Sequence, residues 1–365
     1  MDEELDLREA LLAEAEVCLD HGDPEGALQS AEEALRVDGE AQAVVEAHHL
    51  RALALRELGR IEEALQAVET ALARDPGYAE AALTRGDLLI FDLGELERGL
   101  EVCNTFLREE LEDTLYSDFL NLKGNALAEL GDFPAALGCL RRAAELSPER
   151  EDLATRGWVL FELGRLEEAV AALQLACQPG LPQNAANHFY LAVARSRLGD
   201  ERAAASHLRI AARLEPDLYQ QPCPHPPELL LQVLEEVIAT LPALLQRRLP
   251  GAVRRLVEWP DLQHLGQGRE RLSPLALLQL WDGRDLPTPA PDDDGDEPDE
   301  AAPLPPAEEA EGDQEIRELR LFTRNLSLIC PDRESLAEEL QLALWGEFNR
   351  LLDLREADFV STSLH

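Results

Sequence analysis

The side chains that could perform chemistry in this sequence are few and scattered. Cys223 and His225 lie two residues apart, but a zinc site needs three or four protein ligands, so this pair predicts no metal site. The sequence contains no phosphate-binding glycine loop, nucleophile elbow or dinucleotide fingerprint, and we predict no cofactor. The cysteines form no Cys-x-x-Cys pair and are expected to be reduced thiols packed as small apolar groups; they are Cys18, Cys103, Cys139, Cys177, Cys223 and Cys330.

The charge balance restricts the partners that this chain can bind. It has 73 acidic residues against 33 Lys and Arg, which gives a formal net charge of −40. Nucleic acids and anionic membrane surfaces are polyanions and would be repelled, so we expect neither as a partner. The acidic N-terminal residues lack the basic start of a secretory signal, and no apolar stretch approaches the length of a membrane span. We therefore predict a cytoplasmic protein with basic or neutral protein partners.

A short sequence motif recurs along the first two thirds of the chain, with Leu-Gly at its centre in every copy but the first, which has His21-Gly22. Its glycines are separated by 33 to 37 residues, and a left-handed glycine is a common way to end a helix and reverse the chain. Five residues after each glycine comes an alanine or glycine, which lets a second helix approach the first closely. Another alanine or glycine lies seven residues before each of these glycines except in the third unit, where Gly86 lies eight residues before Gly94. This extra residue predicts a bulge or a shifted register. We call the glycines of this motif the phrase glycines; they are Gly22, Gly59, Gly94, Gly131, Gly164 and Gly199.

Residues 5–216 resemble a tetratricopeptide array of six repeats, a family with a period of about 34 residues. The alternative is an unrelated helical bundle. The resemblance implies a mainly α protein in which stacked helical hairpins form a solenoid. It also implies a concave groove, lined by the first helix of each hairpin, that binds an extended or helical peptide of a partner protein.

The register of the family implies which side chains line this groove. Asn121 and Asn125 could bridge the backbone of an extended peptide, because an amide carries both donor and acceptor groups. Trp158, Phe161 and Phe189 could form an aromatic patch, although they could instead pack against a neighbouring hairpin. The full predicted groove set is His49, Leu53, Arg56, Glu57, Asn121, Asn125, Trp158, Phe161, Phe189, Val193 and Arg197.

The repeat stops after Pro216, and the rest of the chain predicts a small α+β domain. Residues 217–227 form a proline-rich linker, and the domain comprises 228–286 and 316–360. Between these two segments, residues 287–315 hold twelve acids and no base, which predicts a disordered acidic insertion. The predicted elements are a helix over 228–241, a strand over 252–259, a short helix and turn over 272–283, a strand or hairpin over 316–330 and a helix over 332–354.

This order of elements resembles the small bacterial zincin-like metallopeptidase family. The resemblance rests on a helix that ends in Leu241-Pro242, a strand that ends in Trp259-Pro260, a Leu-rich turn that ends at Gly283, and a final helix that opens with Asp-Arg-Glu-Ser-Leu at 332–336. In the active family, that helix carries His-Glu-x-x-His, in which two histidines bind zinc and the glutamate is the general base.

Both zinc ligands of that motif are missing from the final helix here. Glu347 stands at the position of the general base, whereas Gly346 and Arg350 stand at the ligand positions. Glycine has no side chain and arginine stays cationic, so only Glu356 remains as a candidate ligand. The resemblance therefore implies a catalytically dead relative that binds no metal. Arg350 is a candidate ion-pair partner of Glu347 or Glu356.

Three functions remain open from the sequence. The first is a non-enzymatic scaffold whose repeat groove holds a partner. The second is a zinc metallopeptidase with non-standard ligands. The third is a regulator whose acidic insertion occupies a basic partner or folds back on the array.

Overall fold

The computed structural model describes residues 2–37, 41–148, 152–261, 273–281 and 316–352. The predicted acidic insertion 287–315 and Glu356 lie outside these residues. The chain divides into two compact units, Met1–Ala176 and Cys177–His365.

The first unit consists of helical hairpins, as the repeat predicts. Ten α-helices follow one another in its described part, and each consecutive pair is joined by a short turn that contains one of the phrase glycines. The pairs are α1 (Asp2–Asp20) with α2 (Pro24–Ala34), α3 (Ala41–Glu57) with α4 (Ile61–Arg74), α5 (Ala79–Asp87) with α6 (Leu96–Phe106), α7 (Asp113–Glu129) with α8 (Phe133–Leu146), and α9 (Leu153–Glu162) with α10 (Leu166–Ala176).

The phrase glycines end the first helices as predicted. All six have φ between 68° and 85°, the left-handed region that glycine adopts without steric cost. In the second hairpin, the N–H of Gly59 donates to the Arg56 carbonyl and the N–H of Arg60 donates to the Leu55 carbonyl, which is the Schellman pattern. The turn thus satisfies carbonyls that the end of α3 would otherwise leave unpaired.

The third hairpin contains the predicted bulge. A π-helical turn, Leu88–Asp92, follows α5 directly and accommodates one extra residue. In the second hairpin, the residue after the glycine donates to a carbonyl five residues earlier, whereas Glu95 donates to the Leu89 carbonyl, six residues earlier. The π turn therefore explains why Gly86 lies one position further from its phrase glycine.

Small residues bring the two helices of a hairpin together. A Cβ atom on Gly157 would lie 2.5 Å from Cγ of Leu173 and 3.2 Å from its backbone nitrogen, and a Cβ on Gly124 would lie 2.8 Å from Cγ of Leu140. Both distances are too short for carbon atoms in contact. Glycine at these positions therefore sets how closely α9 packs on α10, and α7 on α8.

The second unit begins with one more hairpin and continues into the α+β part. Its hairpin is α11 (Ala185–Arg197) with α12 (Glu201–Leu214). The remaining elements are α13 (Pro227–Thr240), α14 (Ala243–Gln246), β1 (Val253–Val257), β2 (Leu278–Trp281), β3 (Glu318–Phe322), α15 (Thr323–Ile329) and α16 (Arg333–Leu352).

The three strands form one sheet in the order β1-β3-β2, with β1 parallel and β2 antiparallel to β3. Helix α16 buries one stripe completely, formed by Leu336, Leu340, Leu344 and Phe348 at four-residue spacing. Helix α13, which the sequence predicts, contributes to the same core: Leu230, Val233, Leu234 and Val237 are buried, as is Leu241 directly after the helix. These two helices and the sheet enclose the core of the α+β part.

Two of the predicted elements in this part differ from the structure. The segment predicted as a short helix and turn over 272–283 contains β2, because Leu278, Leu280 and Trp281 are buried in the sheet core rather than arranged along a helix. The segment 316–330, predicted as one strand or a hairpin, forms the single strand β3 over its first part but continues at once into the helix α15. A short Leu-rich run does not distinguish a buried strand from a helical turn.

Replacing Gly157 by alanine tests the helix contact in the fifth hairpin. The added methyl group collides with Leu173, so Gly157→Ala should lower the free energy of unfolding of the first unit by about 1–3 kcal/mol. Gly138→Ala is the matched control, because no atom lies within 4 Å of its Cβ position and alanine favours a helix. Urea unfolding followed by circular dichroism measures both. Equal stabilisation by the two substitutions would contradict this close packing.

Candidate functional site

An open cavity lies on the face formed by the first helices of the second, third and fourth hairpins. Its volume is about 660 Å³, within the range of ligand-binding pockets. Helices α3, α5 and α7 contribute side chains, together with the loop that precedes α7. We call this cavity the groove pocket; it is lined by His49, Leu53, Glu80, Leu83, Thr84, Glu110, Leu111, Glu112, Thr114, Leu115 and Asp118.

His49 stands in one wall of the groove pocket in a defined hydrogen-bonding state. Its Nε2 lies 2.9 Å from the Thr84 hydroxyl and its Nδ1 lies 3.2 Å from the Tyr78 hydroxyl. Because the Thr84 hydroxyl already donates to the Glu80 carbonyl, it must accept from Nε2–H, which leaves Nδ1 to accept from Tyr78. Burial lowers the pKa of His49 to about 4 and raises the pKa of Tyr78 to about 12. His49 is therefore neutral near pH 7 and adds no charge to the groove pocket.

The groove pocket combines apolar and acidic side chains. Leucines come from α3, α5, α7 and the loop before α7, and carboxylates come from α5, α7 and the same loop. No Lys or Arg occurs among the described residues that line it. The surface is thus apolar in part and negatively charged.

Arg56 was predicted for the groove, but its guanidinium is engaged beside the π turn. Nε donates to the Asp92 carboxylate at 2.8 Å and Nη1 donates to the Asp87 carboxylate at 3.2 Å. Burial raises the pKa of Asp87, and the Arg56 charge opposes that shift. Arg56 therefore connects the second hairpin to both ends of the π turn in the third hairpin.

Asn125 is also engaged between hairpins rather than open to a peptide. Its Nδ2 donates to the Asn121 carbonyl and to the Asp152 carboxylate, each at 2.9 Å, and its Oδ1 accepts from the Thr155 hydroxyl at 2.6 Å. Asp152 in turn accepts from the backbone N–H of Thr155 and so caps α9. Asn121 lies half-buried one turn earlier on α7.

The predicted aromatic patch is not a single exposed surface. Phe161 is completely buried, so it packs in the core of the first unit and cannot contact a groove ligand. Trp158 is partly exposed and meets Phe133 of α8 edge to face, with ring centroids 5.8 Å apart. In the second unit, Phe189 is buried and packs on Tyr219 at a centroid distance of 5.0 Å.

Arg197 in the second unit binds the α+β part of that unit. Its guanidinium donates to the carbonyls of Pro260 at 2.6 Å and Pro274 at 3.2 Å, and lies 5.2 Å from the centroid of the Trp259 ring. Burial lowers its pKa to about 10, so it remains cationic at neutral pH. The sixth hairpin thus uses its predicted groove arginine as an internal contact.

Of the predicted groove residues, only His49 and Leu53 line the groove pocket. The repeat register did not predict that the third hairpin contributes to the groove pocket. It could have done so: once the extra residue of this hairpin is taken into account, Leu83 stands at the position that His49 occupies in the second hairpin. The loop residues 110–112 could not be found from the helix register, because they lie outside the repeat positions.

In the final helix α16, Glu347 and Arg350 are in contact, as their spacing of three residues suggests. Nε of Arg350 donates to Oε1 of Glu347 at 2.9 Å, and its Nη2 donates to Oε2 at 2.8 Å. Both side chains are largely buried, with 17% and 10% of their surface exposed. Gly346 lies on the exposed side of the helix.

This ion pair also binds the outer edge of β2. The Leu280 N–H donates to Glu347 at 2.8 Å, and the Leu280 carbonyl accepts from Arg350 at 3.1 Å. The carbonyl of Leu277 accepts from Phe322 of β3, and that of Trp281 accepts from Arg317, the residue before β3, so Leu280 faces the opposite edge. The pair supplies one donor and one acceptor to an edge strand, as a neighbouring strand would.

Among the described residues, no group of three or more His, Cys, Asp or Glu side chains is arranged to hold a metal ion. Within the same residues, no helix combines the length and apolar character needed to cross a bilayer.

Comparison with known families identifies the repeats. A tetratricopeptide repeat model matches residues 12–66, 49–110 and 121–187. The N-terminal part of the chain contains tetratricopeptide repeats. The matches end at residue 187 and give no support to the metallopeptidase resemblance of the C-terminal part. No curated protein matches the sequence significantly.

Solved structures show the same fold for the tetratricopeptide part. A structure of pilF from Pseudomonas aeruginosa is 19% identical with a TM-score of 0.52, covering 59% of this chain and 95% of its own. PilW, a type IV pilus biogenesis factor, is 19% identical with a TM-score of 0.50, covering 57% and 94%. A chain of the APC/C hetero-tetramer Cut9-Hcn1 is 19% identical with a TM-score of 0.51, covering 59% and 42%. At these identities, the likeness shows the fold alone.

The neutral state of His49 predicts a loss of stability in acid. Its pKa is about 4 when folded and about 6.5 when unfolded, so protons favour the unfolded chain as the pH falls below about 6.5. Lowering the pH from about 7 to about 5 should reduce the free energy of unfolding by about 2 kcal/mol through the protonation of His49 in the unfolded chain. Urea unfolding at both pH values should show this loss in the wild type and a loss about 2 kcal/mol smaller in His49→Gln. The same pH dependence in both proteins would contradict the neutral, buried His49.

Removing Glu347 tests the buried ion pair. Glu347→Ala leaves Arg350 without its carboxylate and the Leu280 N–H without an acceptor, so it should destabilise the second unit by about 3 kcal/mol. The double variant Glu347→Ala/Arg350→Ala should lose less unfolding free energy than the two single variants lose together, because each single substitution already breaks the same ion pair. Glu338→Ala is the control: this exposed residue of α16 should change stability by less than about 0.5 kcal/mol. Tryptophan fluorescence in urea reports the transition; strictly additive losses would show that the pair is not coupled.

Proposed function

We propose that this chain is a non-enzymatic adaptor that holds a peptide segment of a partner protein in the groove pocket. Proteins with tetratricopeptide repeats generally mediate interactions between proteins. The observation that carries the proposal is the groove pocket itself, an open cavity of about 660 Å³ on the face of the first helices of three consecutive hairpins.

The lining of the groove pocket supports peptide binding in two ways. Leu53, Leu83 and Leu115 come from three different helices and offer apolar surface to several side chains of one ligand. The wall formed by His49 and Thr84 is rigid, because both side chains have fixed hydrogen-bond partners. A preformed surface lowers the ordering cost of binding.

We also propose that the α+β part acts as a folded, non-catalytic module. In the resemblance to the metallopeptidases, Glu347 would be the base that activates a metal-bound water. Here the Glu347 carboxylate accepts hydrogen bonds from Arg350 and from the Leu280 N–H, which supports a structural role for Glu347. Stoichiometric zinc in the full-length chain, purified without a His tag, would contradict this proposal and favour a metallopeptidase with non-standard ligands.

Blocking the groove pocket tests the adaptor proposal. Thr114 is exposed and lines the groove pocket, so an indole at this position should fill part of the cavity. Peptides selected from a random display library by the full-length wild type should bind Thr114→Trp at least about tenfold more weakly in fluorescence anisotropy.

The matched control is Thr105→Trp, which introduces the same indole at an exposed position of α6 outside the groove pocket. It should bind the selected peptides as the wild type does. The proposal fails if no peptide is enriched, or if the selected peptides bind the two variants equally.

A further inference from the structure

We infer that the groove pocket selects peptides that carry a Lys or Arg side chain between apolar residues. This inference rests on the proposed function and specifies its ligand. The first argument is charge. Four acidic side chains line the groove pocket, Glu80, Glu110, Glu112 and Asp118, and no Lys or Arg does among its described residues.

The acidic side chains come from separate elements. Glu80 lies on α5, Asp118 lies on α7, and Glu110 and Glu112 lie in the loop before α7. Carboxylates from different elements that surround one cavity focus a negative potential into it, because the protein around the cavity has a low dielectric constant. A cationic side chain that enters the cavity therefore meets several carboxylates at once.

No basic side chain among the described lining residues compensates the charge of these acids. His49 is the only titratable group with a basic form among the described lining residues, and it is neutral since it donates to Thr84 and accepts from Tyr78. The nearest predicted groove arginine, Arg56, is not among the lining residues and is paired with Asp87 and Asp92.

The leucines of the groove pocket indicate that apolar residues flank the cationic side chain of the ligand. Leu53, Leu83 and Leu111 are partly exposed in the groove pocket and are interspersed with the carboxylates. A Lys or Arg side chain fits such a lining, because its methylene stem packs on apolar surface while its charged end reaches a carboxylate. Apolar residues on either side of it would cover the remaining leucine surface.

The same lining disfavours acidic ligands. The chain's own acidic residues between 292 and 315 carry the same sign of charge as the groove pocket, so they are poor occupants. A peptide C-terminal carboxylate is equally disfavoured, since the described residues that line the groove pocket include no Lys or Arg to receive it.

Three labelled peptides test the inference with the full-length protein. Each contains two Leu-x-Leu segments in an alanine background, where x is Lys, Gln or Glu, and binding is measured by fluorescence anisotropy at low salt. We expect the Lys peptide to bind at least about tenfold more tightly than the Gln peptide, and the Glu peptide to bind most weakly. Added salt should reduce this difference.

A pair of matched variants separates the groove pocket from the overall charge of the chain. Glu80→Gln/Glu112→Gln should weaken the Lys peptide about tenfold and leave the Gln peptide unchanged, because two exposed ion pairs are each worth up to about fivefold. Glu97→Gln/Glu101→Gln removes the same two charges from exposed positions of α6 outside the groove pocket. It should change binding of the Lys peptide by less than about twofold.

The outcomes distinguish this inference from the proposed function. If all three peptides bind alike and Thr114→Trp weakens each of them, the adaptor proposal stands and the charge selection is overturned. Equal weakening of the Lys peptide by both double variants also overturns the selection, because overall charge would then explain it. If none of the three peptides binds while library peptides do, the inference alone fails; if library peptides fail too, both fall.

Discussion

The turn between the two helices of each hairpin is the constraint on which the tetratricopeptide part depends. A glycine with positive φ ends the first helix and lets the next residue return its N–H to that helix. The chain then reverses within a few residues, and the second helix must pack on the first. Small residues such as Gly124 and Gly157 allow that contact at a distance that a methyl group would forbid. Repetition of this unit places the first helices side by side, and they form the face that carries the groove pocket.

The groove pocket occurs where the repeat is least regular. Helix α5 is shorter than α3 and α7, because the π turn Leu88–Asp92 follows it. The ion pairs of Arg56 with Asp87 and Asp92 connect this turn to the preceding hairpin. After the third hairpin, the loop before α7 brings residues 110–112 to the same cavity. π-helical turns are frequent at functional sites, since the extra residue redirects the side chains around it.

In the α+β part, side chains connect a helix to a sheet edge. Glu347 and Arg350 neutralise each other in a largely buried position and bond to both main-chain groups of Leu280. Neither side chain is favourable there without the other, because an unpaired buried charge is costly. The pair thus orients α16 on β2 through contacts that depend on both residues at once.

The sequence by itself determined the hairpins, their number and the irregular third unit, because spacing between glycines and small residues acts locally through backbone geometry and helix contact. It also predicted the helix α13 and offered Glu347, one helical turn away, as one of two candidate partners of Arg350. Only the tertiary structure decided which side chains face a ligand. Phe161 is buried, Asn125 and Arg197 are engaged by other parts of their own units, and the groove pocket joins residues from 49 to 118. Exposure and partnership depend on contacts between residues far apart in the chain, and a repeat register cannot specify them.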